Sequence, residues 1–162
     1  MRSSHLLAVI RAALVSAALL WSGLILAAPW IATSPDRIPS HLAAGTYVVG
    51  AAVCHQRPER SFHISSVRLP VCARCTGLYL SAALGAIAGL AWAGSREKHP
   101  RRNQRDWRSW LAAAAVPTAL TLVLEWLGLW APSNAARALA AAPLGVVGGL
   151  LVAVGLSFRS KL

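Results

Sequence analysis

Four long stretches of this 162-residue chain carry almost no charge, and that constrains its fold more than any motif does. No Asp, Glu, Lys or Arg falls between Arg11 and Asp36, between Arg74 and Arg96, or between Arg137 and Arg159. From Arg108 to Arg137 the only charge is Glu125. Each gap holds the ~20 apolar residues needed to cross the hydrocarbon core of a bilayer. Spans are therefore expected at about 12–31, 75–93, 111–130 and 138–158. The fold class expected is all-α, a polytopic transmembrane bundle of about four spans, and by length it is a single domain, 1–162. Charged residues make up 13% of the chain, about half the share usual in a soluble domain. A soluble bundle would also need polar stripes at helical period, and these segments are apolar all round. The first stretch has the positive flank of a signal peptide, with small residues at Ala27 and Ala28. Pro29 and the continuing run through Trp30 and Ile31 favour a retained helix.

The net charge of +11 does not imply a nucleic-acid partner, because of where the charge sits. Arg96, Lys98, Arg101, Arg102, Arg105 and Arg108 share one short loop, 94–109. Basic residues in short loops mark the cytoplasmic side, and Arg2, Arg11, Arg159 and Lys161 agree with both termini lying inside. Anionic lipid beside that loop is a sufficient partner for it. The segment 54–77 then falls on the outer face of the cell membrane. The apolar run 41–53 is too short to span comfortably and is expected to be a re-entrant or interfacial helix. Most tryptophans mark span ends, as interfacial anchors do; Trp21 and Trp126 lie deeper and are expected to pack.

Small residues recur every fourth position in two spans: Gly77, Ser81, Gly85 and Gly89 in the second, Ala141, Gly145, Gly149 and Ala153 in the fourth. Such stripes let helix backbones approach closely in lipid. The two faces are expected to meet, or one of them to form a seam with a second copy or a membrane partner. Near the outer leaflet, Glu125, Ser133, Asn134 and Arg137 converge with Arg74. A carboxylate at membrane depth requires a partner or a function. An ion pair to Arg137 or Arg74 and an acid/base role are both open for Glu125.

All three cysteines, Cys54, Cys72 and Cys75, fall within 22 residues, in CHQRPERSFHISSVRLPVCARCTG. Cys72-x-x-Cys75 spaces two sulfurs for one tetrahedral ion, and Cys54 adds a third. His55 is the preferred fourth ligand and His63 the reserve; zinc suits such borderline-soft donors. Alternatively, a CxxC at a helix N-terminus beside Arg74 favours thiolate, and on an oxidising face it would support thiol–disulfide exchange or a plain disulfide. No thioredoxin-like βαβ pattern surrounds the motif. Thr76 stands where haem attachment needs His. Arg57, Arg60, Arg68 and Arg74 near Gln56, Ser61 and Thr76 would suit a phosphate or carboxylate through guanidinium forks. No nucleophile elbow, Walker loop, HExxH, GxGxxG or EF-hand pattern is present.

CHQRPERSF followed by LPVCARCTGLYL resembles the signature of a family of predicted prokaryotic membrane proteins, domain of unknown function 2085. Pro117, Glu125, Ser133-Asn134 and Arg137 ahead of a Gly-rich helix fit the same pattern over roughly residues 53–155; the acidic position is more often Asp. The resemblance implies a small multi-span membrane protein defined by its polar cassette, and no activity. A metal-binding or structural role is expected first. Next come a membrane thiol oxidoreductase, a metal-dependent enzyme using Glu125, and an accessory subunit or small-solute carrier.

Overall fold

The computed structural model describes residues 2–95 and 104–158. Among the described residues there are five helices: α1 (Arg2–Ala32), α2 (Arg37–Val53), α3 (Ala73–Ser95), α4 (Gln104–Trp126) and α5 (Asn134–Phe158). Between α2 and α3 lie a 3-10 turn, Pro58–Arg60, and a two-stranded antiparallel hairpin, β1 (His63–Ile64) and β2 (Val67–Arg68). Four of these helices contain segments long and apolar enough to cross a membrane, counted over the described residues: Ala8–Ala32, Ala73–Trp92, Trp107–Trp126 and Asn134–Val154. The all-α membrane-type bundle expected from the charge gaps is therefore present. Most of the basic loop, 96–103, lies outside the described residues, as do residues 159–162.

Which side chains are inside distinguishes this bundle from a soluble one. Its buried positions are dominated by small residues, among them Ala28, Ala83, Ala86, Ala141 and Ala153. Large apolar side chains such as Leu20, Val48, Leu129 and Leu139 point outward. In water that surface would aggregate. In lipid it faces like chemistry, and helix association rests on backbone proximity and packing.

The seam between α3 and α5 uses the two stripes. The helices run parallel, since Gly77 lies against Ala138, Gly85 against Val146 and Gly89 against Ala153. A Cβ on Gly77 would strike the Ala138 backbone, and one on Gly145 would strike Ser81 Oγ and the Leu78 carbonyl. Of the two arrangements expected for these stripes, the chain adopts the internal one. Helix α1 packs along α3, where Ser22 Oγ donates to the Tyr79 carbonyl at 3.1 Å and Trp21 meets Tyr79 edge-on with centroids 6.1 Å apart. Helix α4 lies on α5, with Thr118 Oγ1 donating to the Ala140 carbonyl at 2.8 Å.

Two sequence expectations need correction. The third span is expected to run to Trp130, but its helix, α4, ends at Trp126, because Gly128 adopts φ +68° and the Leu127, Gly128 and Leu129 N–H groups fold back onto Val123, Glu125 and Leu124. Glycine permits that left-handed C-terminal turn at little steric cost. Trp126, the last helical residue, is 88% exposed. It sits where an interfacial anchor would, and only Trp21 of the expected pair packs inside.

Candidate metal centre

Backbone and side-chain hydrogen bonds fold the cysteine cassette upon itself. Helix α2 ends at Val53, and Cys54 follows in extended conformation. Gln56 then takes φ +47°, unusual for a residue with a Cβ. Three hydrogen bonds hold it there: its Nε2 donates to the Tyr47 carbonyl at 2.8 Å and the Pro70 carbonyl at 2.6 Å, and its own carbonyl accepts from Arg68 Nη1 at 2.8 Å. The Tyr47 hydroxyl donates to the Arg68 carbonyl. Gly50 makes this possible, because a Cβ there would collide with the Pro70 carbonyl. Ser65 and Ser66, both at positive φ, close the hairpin with a turn of the hand that suits strand twist.

The hairpin returns the chain so that the Cys72 N–H donates to Cys54 Sγ at 3.2 Å. The sulfurs of Cys54, Cys72 and Cys75 all lie within 4.8 Å of one another, as free thiols. Four ligands at about 2.3 Å in a tetrahedron put sulfurs about 3.8 Å apart, so small side-chain rotations would fit this trio to one ion. Cys54 is buried with Ile25, Leu69 and Val71, and Trp21, Phe62, Ile64 and Tyr79 pack against that core. An apolar sheath of this kind limits water access and strengthens charge interactions. His55 and His63 are exposed and lie outside the sulfur group.

Cys72 sits immediately before α3, where the Cys75 thiol and the Cys75 and Arg74 backbone N–H groups donate toward its sulfur. These bonds outweigh burial and hold its pKa at about 5, below the usual value near 9. A thiol lowered in this way keeps its nucleophilic form as pH falls and loses it only near the folded pKa. In metal-free protein, alkylation of Cys72 by a neutral reagent should stay nearly constant from pH 8 to 6 and halve near pH 5. Trypsin isolates Cys72 in the peptide Leu-Pro-Val-Cys-Ala-Arg, so mass spectrometry reads it alone. A rate falling tenfold per pH unit from pH 8 downward would contradict the depressed value.

A second assembly shares the same end of α3. Glu125, in the last turn of α4, accepts from Arg137 Nη2 at 2.8 Å, Arg60 Nη2 at 3.0 Å and Arg74 Nη2 at 3.4 Å. Its side chain is 9% exposed. Asn134 ties the group to the cassette: its Oδ1 accepts from Arg137 Nη1 at 3.0 Å and its Nδ2 donates to the Ser61 carbonyl at 3.0 Å. Ser133 Oγ instead accepts from the Ala136 N–H at 3.2 Å and caps α5. Arg57 is exposed, and Arg68 is engaged with Gln56. The four cassette arginines thus divide, and only Arg60 and Arg74 reach the carboxylate. Sequence patterning did not single out Tyr47 or the pivot role of Gln56; the positive φ that explains Gln56 has no local signal of the kind Gly or Asn supplies.

An apolar four-helix bundle with a thiol trio and a buried carboxylate at one end defines a multi-pass membrane protein. The chain belongs to the family of predicted membrane proteins called domain of unknown function 2085, whose model matches residues 54–153. That match covers both assemblies, from Cys54 through Arg137. An uncharacterized protein of Methanocaldococcus jannaschii is 46% identical over 41 residues, 25% of this chain and 26% of that protein. An uncharacterized protein of Methanothermobacter thermautotrophicus is 53% identical over 30 residues, 18% of this chain and 27% of that one. The aligned part thus spans about a quarter of the length of these curated relatives. No solved structure matches the chain.

Proposed function

We propose that Cys54, Cys72 and Cys75 bind a single borderline-soft metal ion, zinc first, in a site whose role is structural or binding. The observation that carries this is the approach of all three sulfurs to within 4.8 Å in an apolar sheath. Three thiolates leave one tetrahedral position. His55, next to Cys54 in the chain, is the proposed fourth ligand, with His63 in reserve. Either histidine would have to turn inward from its exposed position, and water fills the position otherwise. Metal held here would join the end of α2 to the start of α3 and add its binding energy to folding. Protein purified without oxygen should carry about one zinc per chain, and Cys72→Ser should lose most of it. Metal-free protein with thiols that cycle under mild oxidant would overturn the site.

That outcome would favour thiol–disulfide exchange, for which the low pKa of Cys72 is the specific support. The charge pattern supports a cassette on the outer face. A membrane-impermeant maleimide should therefore label a Glu59→Cys variant on intact cells; labelling only after permeabilisation would reverse the orientation.

A further inference from the structure

The Glu125 assembly holds more positive charge than its carboxylate neutralises. Arg60, Arg74 and Arg137 converge on one acidic side chain, leaving a formal excess of two positive charges. The Nε atoms of Arg74 and Arg137 are buried and have no hydrogen-bond partner among the described residues. A buried donor without an acceptor is unfavourable, most of all on an ionised group. The Arg137 side chain is 11% exposed and that of Arg74 17%, so both guanidinium groups stay partly open at this end of the bundle.

The assembly also sits at a telling depth. Arg74 lies in the first turn of α3, Glu125 in the last turn of α4 and Arg137 in the first turn of α5. These are the ends of three candidate spans. Phospholipid phosphates lie at that level in either leaflet, in the headgroup region that borders the hydrocarbon core. Guanidinium forks match the oxygens of a phosphate group.

We propose that Arg60, Arg74 and Arg137 form a phosphate-binding site beside Glu125, occupied by a lipid headgroup or by free phosphate. Two titrations of the delipidated full chain in detergent, read by native mass spectrometry, separate the sources. One adds phosphatidylglycerol or phosphatidic acid, the other inorganic phosphate. One phosphate-bearing adduct per chain is expected. Arg60→Gln should weaken it about tenfold, the effect of one charge-assisted contact, while Arg57→Gln leaves it unchanged. Arg60 is the most exposed of the three arginines and leaves Glu125 two partners, so the variant should fold. Arg60→Lys keeps the charge without the fork and should give a smaller loss in the same direction. Adducts with lipid alone identify a headgroup site, and adducts with inorganic phosphate identify a free-phosphate site. No adduct in either titration, or adducts equally affected by Arg57→Gln and Arg60→Gln, would overturn the proposal.

Discussion

Replacing Glu125 with leucine is expected to destabilise the protein by about 3–5 kcal/mol, the range for removing one partner of a buried ion pair. The loss follows from what remains. Arg137 and Arg74, 11% and 17% exposed, would keep their charge without the carboxylate that accepts from both. Retaining that charge away from water is costly. Arg60→Gln should cost far less, under about 1 kcal/mol, because a guanidinium 36% exposed is partly solvated and screened. Glu125→Leu combined with Arg137→Leu should fall short of the sum of the single losses, since the double variant no longer buries an unpaired Arg137. Thermal or denaturant unfolding in detergent micelles measures all four. A Glu125→Leu variant as stable as its parent would contradict the ionic role of this carboxylate.

Leucine at Gly149 should separate α3 from α5. A Cβ there would strike the Ala82 carbonyl, so no rotamer relieves the clash and the helices must part. The expected cost is at or above the top of the ~1–3 kcal/mol typical of overpacking. Gly148 is the control in the same helix, because nothing lies within 4 Å of a Cβ built there. Leucine is a better helix former than glycine by nearly 1 kcal/mol, so Gly148→Leu should be neutral or stabilising. Opposite signs at adjacent positions are the mark of a seam, which helix propensity alone cannot produce. Equal effects at Gly148 and Gly149 would contradict the parallel α3–α5 packing.

The four-helix plan was legible in the sequence because lipid imposes a simple rule. Charge is excluded over about 20 residues at a time, and the gaps around Glu125 and between the arginines record that rule directly. The seam was legible for a related reason, since glycine and alanine every fourth residue leave few other uses for a helix face in lipid. Helix ends were less legible. The apolar run continues to Trp130 although Gly128 has already turned the chain, and composition does not register the change. In the cassette, spacing identified Cys72 and Cys75 as neighbours and allowed Cys54 to join them. It could not foresee that Gln56, at positive φ, and the Ser65-Ser66 turn bring Cys54 onto the Cys72 amide. Nor did it separate the arginines. Arg60 and Arg74 differ from Arg57 and Arg68 only in where the folded cassette directs them, and that is a tertiary fact.

X-ray absorption at the zinc edge tests the proposed metal centre most directly. Anaerobically purified protein should show three sulfur neighbours at about 2.3 Å and one nitrogen or oxygen near 2.0–2.1 Å. Cys72→Ser should lose a sulfur or the metal altogether. Protein that binds no zinc, or binds it through nitrogen and oxygen alone, would contradict a thiolate centre at Cys54, Cys72 and Cys75.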